Sequence, residues 1–364
     1  MKGVRNGKID LLRFVFALIV VLHHTRYLLG DSNCVFLGGS LAVEFFFIVS
    51  GWLMAEHTAA EDRRGGYLPG TLGHDTLHFL GGKLRAVLPV FLPAWIAGFV
   101  FVAAVRRLSP GGIVRFFCSS FWELLLVKMS GLYMKGFDGV IWYVSAMLLC
   151  MAVLYPLLRR FPDMMPKIAA PLLMLFLYGY LCRTFNHPRD PSVWTGLFYK
   201  GLLRAMADLC LGVVLRTVCT RFRSLRWKYS VRVFLAVLEL FLYTAVVLYM
   251  YYRKPSQYDY FFIFLLAAAI FLSFSRQPAG AALFDGKATR FLGRFSAALF
   301  FSHIYYAQNL NRILPAEMGR TERVGVYLLC AFLTAAAVLA LSDFLRARKR
   351  AIIAWSEKTF LENN

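Results

Sequence analysis

The sequence predicts an all-α fold, a polytopic bundle of about ten membrane-spanning helices. Three observations carry this expectation. Of the 364 residues 59% are hydrophobic, and the mean hydropathy is +0.59. Only 17% are charged, where a soluble domain carries roughly a quarter. Apolar runs of about 18 or more residues recur, long enough to cross a hydrocarbon core of ~30 Å. Backbone groups in lipid must satisfy their own hydrogen bonds, so the spans are helices, and no alternating pattern suggests a barrel.

Taken in chain order, spans are expected near 9–29, 38–56, 86–105, 139–158, 168–185, 197–215, 232–251, 258–275, 290–311 and 323–345. The segment 113–130, "IVRFFCSSFWELLLVKMS", is apolar but interrupted by Arg115, Glu123 and Lys128. It reads as an amphipathic interfacial or re-entrant helix; a crossing there would make eleven spans and move every later loop to the other side. The first span is too long for a removed signal peptide and lacks a small-residue cleavage site. With no long linker, repeat or low-complexity stretch, residues 1–364 read as one transmembrane domain with no appended soluble module. The seven cysteines are scattered without a CxxC pair and read as packing residues.

A net charge of +21 would suit nucleic acid. Its placement argues against that partner, because nearly all Lys and Arg fall between apolar runs, where they orient the chain and meet lipid headgroups. Placing the N-terminus inside puts Lys2, Arg5 and Lys8, then Arg63, Arg64, Lys83 and Arg85, in the cytoplasm. Arg159, Arg160 and Lys167 follow, then "RTVCTRFRSLRWKYSVR", then Arg276, Lys287 and Arg290, and the tail "RARKR". The 106–138 connection, with Arg106, Arg107, Arg115, Lys128 and Lys135, is the exception. The balance predicts a multi-pass protein of a cell membrane, the bacterial inner membrane, with both termini cytoplasmic.

An ionisable side chain inside a span is costly unless paired or hydrated, so such residues are functional candidates. Arg13 and His24 are eleven residues apart, which returns to within ~20° of one helix face, with Asp10 a turn below Arg13. His24 then lies ~22 Å above the inner boundary. His23 is off this seam by ~100° and reads as the bystander. The second span, "GSLAVEFFFIVSGWLM", holds Glu44 ~9 Å below the outer boundary, level with His24. A carboxylate there can fix an imidazole tautomer and stabilise its protonated form. In the ninth span, "RFLGRFSAALFFSHIYYAQN", His303 reaches a similar level, ~20 Å from the inner end. Ser50-Gly51 reads as a point of close helix approach and Trp142 as an interfacial residue beside the site. "HDTLH", with His74 and His78 at i,i+4, lacks acidic company, and no metal site is expected.

In order along the chain, "KIDLLRFVFALIVVLHH", "GGSLAVEFFFIVSGWLMA", "VIWYVSAMLLCMAVLYPLL" and "FLGRFSAALFFSHIYY" resemble the integral-membrane acyltransferase-3 family. The resemblance covers essentially the whole chain. Its most specific element is an arginine, ten residues, then a histidine, met here by Arg13 and His24. An acidic residue, aromatics and Ser-Gly follow in the second span, with Glu44 where many members have Asp. The chain departs from the pattern at Ala146 and Met147, where many members carry a glutamate.

The resemblance implies transfer of an acyl group, expected to be acetyl, from cytoplasmic acyl-CoA to a hydroxyl of an extracytoplasmic or lipid-linked carbohydrate, as in O-acetylation of surface polysaccharides. On that expectation His24 is general base with Glu44 behind it, and His303 contacts the thioester oxygen or the acceptor as charge develops. Arg13 and Lys8 hold CoA phosphates, while Trp142 and Ser50 border the substrate. No permanently bound cofactor is expected, acyl-CoA being a co-substrate. The rival expectation is a proton-coupled transporter or flippase of a polysaccharide precursor, in which the same buried groups relay protons. No matching pair of Gly/Pro-broken spans supports it.

Overall fold

The computed structural model describes residues 6–65, 68, 70–132 and 136–362, with side chains to 348. Lys2, Arg5 and Lys135, used above for orientation, lie outside the described residues. The fold is all-α: among the described residues no strand forms, and the helices run as one polytopic bundle.

The first helix, α1 (Gly7–His23), starts where the Asn6 side chain accepts from the amides of Lys8 and Ile9 at 3.2 and 3.5 Å, satisfying two of the four donors a helix start leaves open. A short turn, α2 (Arg26–Leu29), leads to α3 (Ala42–Asp62), which runs back. The next helix, α4 (Leu72–Val105), is 34 residues long, ~51 Å by its rise, so its charged first turns extend beyond the hydrocarbon. The ambiguous segment forms α5 (Pro110–Leu124). At 15 residues it is ~22 Å long, shorter than a bilayer core, and it packs Phe116 against Phe99 of α4.

Then come α6 (Ile141–Arg160), α7 (Ala170–Phe185), α8 (Lys200–Ser224), α9 (Tyr229–Tyr252) and α10 (Tyr258–Ser275). The bundle is completed by α11 (Lys287–Ser302), α12 (Ile304–Asn309) and α13 (Arg320–Glu362). Among the described residues eight helical stretches are long and apolar enough to cross a membrane. The two expected spans outside that set, 197–215 and 290–311, are helical too, as α8 and as α11 with α12. Helix α8 falls short in apolarity because it carries Lys200, Arg204 and Asp208, while α11, which carries Lys287, Arg290 and Arg294, is also short, 16 residues before the interruption at His303.

Packing explains the difference. Helix α8 is enclosed by α3, α6, α7 and α10, and α11 by α1, α4 and α13. A helix surrounded by protein meets little lipid and can carry polar groups that a lipid-facing one such as α9, with exposed Phe234, Val237 and Leu240, cannot. Close approach of the enclosed helices depends on glycine. A Cβ at Gly51 would fall 2.1 Å from the Leu209 carbonyl oxygen, and one at Gly212 would fall 2.1 Å from that of Ile48. At the other seam a Cβ on Gly293 would meet Asp10 Cβ at 2.7 Å, so α1 and α11 also lie nearly backbone to backbone.

Candidate active site

The seam between α1 and α11 ends in two histidines. His24 follows the last residue of α1, and His303 occupies the interruption between α11 and α12. Nε2 of His303 lies 3.1 Å from Nδ1 of His24. The other nitrogen of His303, Nδ1, is 2.7 Å from the Phe300 carbonyl and 3.2 Å from that of Leu299. A carbonyl only accepts, so His303 Nδ1 carries a proton and donates. In the neutral ring Nε2 is then an acceptor, and His24 Nδ1 must donate to it. That assignment, made from the hydrogen-bond network, leaves the lone pair of His24 on Nε2.

His24 faces a cavity of about 440 Å³ at the end of the bundle where α1 finishes, the far end. Tyr27 stacks on the imidazole, its ring centroid 5.9 Å away and nearly parallel, and Trp142, Lys128 and Arg204 line other walls. His303 is fully buried. His303, expected to contact the thioester oxygen or the acceptor, has both ring nitrogens engaged, one by backbone carbonyls and one by His24. His23 also borders this cavity, but it is buried and its Nδ1 lies 2.6 Å from the Phe36 carbonyl.

Glu44 does not stand behind His24. Its carboxylate is clasped by Arg204 of α8, through Nε at 2.7 Å and through Nη2, and Nη2 also reaches the Ser40 carbonyl at 2.7 Å. The physical reason is charge: a buried carboxylate gains far more from a bidentate guanidinium than from a neutral imidazole. The pair sits beside the site, with the Arg204 guanidinium 5.3 Å from the ring of Trp142.

A second buried cluster closes the far-end cavity from the loops. Lys128 Nζ contacts Glu123 Oε1 and, at 3.2 Å, the Asp138 carbonyl, while Glu123 Oε2 accepts from the amides of Phe137 and Asp138 at 3.2 Å each. Asp138 Oδ2 is buried with no hydrogen-bond partner among the described residues. Burial, then the neighbouring Glu123, pushes the Asp138 carboxyl well above the usual range.

At the opposite end, where α1 begins, Arg13 lines two cavities. One, of about 710 Å³, is walled by Asn6, Asp10, Trp52 and Glu56. The other, of about 240 Å³, runs from Arg13 and Lys83 past Ser50 and Tyr143 to Phe300, whose ring is 6.0 Å from that of His303. Arg13 Nη1 lies 3.6 Å from Asp10. Ser50 borders this inner passage, beside the Tyr143 hydroxyl, and not the far-end cavity. Lys8, expected to hold CoA phosphates, has its ammonium paired with Glu239 at 2.7 Å and over the Phe284 ring.

Arg204 and Lys128 were not singled out from sequence. The signal for Arg204 was present: "LLRAMADLCLG" places an arginine and an aspartate i,i+4 inside an expected span, which calls for the same cost argument that singled out Arg13.

The chain is a multi-pass membrane acyltransferase: the family model described as an acyltransferase domain matches residues 6–343, nearly its whole length. More particularly, it belongs to the acyltransferase-3 family. No curated protein and no solved structure matches it.

Proposed function

We propose that the protein transfers an acyl group, acetyl in the simplest case, from cytoplasmic acyl-CoA to a hydroxyl of an extracytoplasmic or lipid-linked carbohydrate. The observation that carries the reading is the histidine pair set between a far-end cavity and a passage from the opposite end. With the start of α1 on the cytoplasmic side, donor and acceptor approach the same imidazole from opposite faces of the membrane.

A hydroxyl is a weak nucleophile at neutral pH. Its proton goes to His24 Nε2 as the oxygen attacks the thioester carbonyl; the carbon–sulfur bond breaks, and the thiolate takes the proton back from His24. Positioned general-base catalysis of this kind contributes about 10²–10⁴-fold. His303 orients His24 by accepting a hydrogen bond from its Nδ1–H, which leaves the His24 lone pair on Nε2 throughout. Tyr27 and Trp142 give the acceptor apolar ring faces, the surfaces on which sugars pack, and Arg13 meets donor phosphate.

The test is release of free CoA thiol by purified protein in nanodiscs, with mass spectrometry of surface glycans from cells with and without the gene. Carbohydrate-dependent thiol release and a glycan that loses an acyl mass in the deletion are expected. Absence of thiol release with every acyl-CoA and acceptor fraction tried would overturn the reading.

A further inference from the structure

The 710 Å³ cavity at the start of α1 contains two arginines that the reading above leaves unused, Arg223 at the end of α8 and Arg276 just past α10. Arg276 Nη2 bonds Asp285 at 2.5 Å, but its Nη1 is buried with no hydrogen-bond partner among the described residues. Arg223 donates to the Phe274 carbonyl through both Nε, at 3.1 Å, and Nη2, and lies over the Trp52 ring at 5.6 Å. The Gln277 amide bonds the carbonyls of Arg223 and Leu225 at 3.1 Å each, so one short turn holds both arginines in a fixed relation.

Two carboxylates share the cavity wall and neither answers Nη1. Asp10 lies by Arg13, and Glu56 is taken by Arg216 at 3.0 Å and Arg63 at 3.7 Å. Arginines at helix C-termini can serve only to complement the helix dipole and cap its carbonyls. That role accounts for Arg223 Nε and Nη2 but not for Arg276, which lines the cavity while its buried Nη1 has nothing to donate to among the described residues. Such a group is costly until an acceptor arrives, and a phosphate oxygen is the acceptor a guanidinium fits best.

We propose that Arg223 and Arg276 seat the phosphates at the nucleotide end of the donor, the 3′-phosphorylated adenosine diphosphate of CoA. Arg13 then stands at the mouth of the narrower passage, where the pantetheine arm turns toward His24. This rests on the acyl-CoA reading and adds to it a site for the half of the donor farthest from the chemistry.

The experiment uses the full chain in nanodiscs with two donors, acetyl-CoA and acetyl-pantetheine, which share the thioester but differ in the nucleotide. Adenosine 3′,5′-bisphosphate serves as a competitor. For Arg276→Gln and Arg223→Gln the ratio of kcat/KM for acetyl-CoA to that for acetyl-pantetheine should fall about tenfold or more, the worth of one charge-assisted hydrogen bond. Inhibition by the bisphosphate should weaken in parallel, and Arg276→Lys should recover part of both. An unchanged ratio with unchanged inhibition overturns the assignment, as does equal loss on both donors, which marks a structural role. A wild-type protein that uses neither donor overturns the acyl-CoA reading, and this assignment with it.

Discussion

The two most extensively packed seams of the bundle, α3 against α8 and α1 against α11, bury ionisable groups in opposite ways. In the first, Glu44 and Arg204 cancel one another, with the remaining donors spent on backbone carbonyls. In the second, His24 and His303 form a chain that begins at the Phe300 carbonyl and ends on the Nε2 lone pair of His24, a residue that lines a cavity. Both are expensive places for polar groups. What separates structure from chemistry is therefore whether the hydrogen-bond chain closes on itself, and depth in the membrane does not separate them.

The comparison breaks most visibly at the open chain. His24→Ala should lower acyl transfer by about 10²–10⁴-fold while expression and thermal unfolding in detergent stay near wild type, because it removes the base and little packing. His23→Ala, on the neighbouring ring, should cost far less. Comparable loss in both variants would show that the two rings act together as packing.

At the closed seam the same logic predicts damage to the fold before the rate. Glu44→Leu leaves Arg204 buried and unpaired and should destabilise by about 3–5 kcal/mol, whereas Glu44→Leu with Arg204→Leu should recover much of that loss. Thermal melts of the two single variants and the double variant, closed into a cycle, measure it. A single variant with normal melting but lost turnover would move Glu44 into the chemistry.

The smallest effect is expected at Asp138. Its carboxyl is pushed up by burial, so the folded state retains a proton more readily than the unfolded chain. That contribution to stability grows as pH falls through the raised value and is lost as pH rises through it. Asp138→Asn should remove this component, so the gap in Tm between variant and wild type should change with pH, favouring the variant most on the alkaline side. A gap constant from acid to alkaline pH would show that Asp138 does not titrate in this way.

Much of the fold was legible because lipid imposes length and apolarity on each span. Even α8 and the α11–α12 stretch were found, although both carry charged residues, since their apolar positions still recur over a crossing length. Depth was legible too: counting residues placed His24 and His303 level, and they meet at 3.1 Å. Direction was not. Glu44 has the depth expected of it but faces α8, because the helix that a given face meets depends on the packing order of the whole bundle. Lys8 shows the same limit; its reach across to Glu239 on α9 is a tertiary fact, invisible in the basic leader around it. Arg276 was counted only as a charge that orients a loop, and its orphaned nitrogen exists only once the chain has folded.

The histidine pair also has an electrical consequence. A base held by an aspartate would keep a fixed negative charge at this depth, and a membrane potential acts on such a charge by about 2.3 kcal/mol per 100 mV across the full thickness. Here the holding groups are a backbone carbonyl and a second imidazole, so the chain from Phe300 to His24 is complete with two neutral rings. Between turnovers there is no net charge on the pair for the voltage to pull, and one arises only while His24 holds the acceptor's proton. For the pair itself, an energised membrane and a depolarised one thus meet the same resting charge.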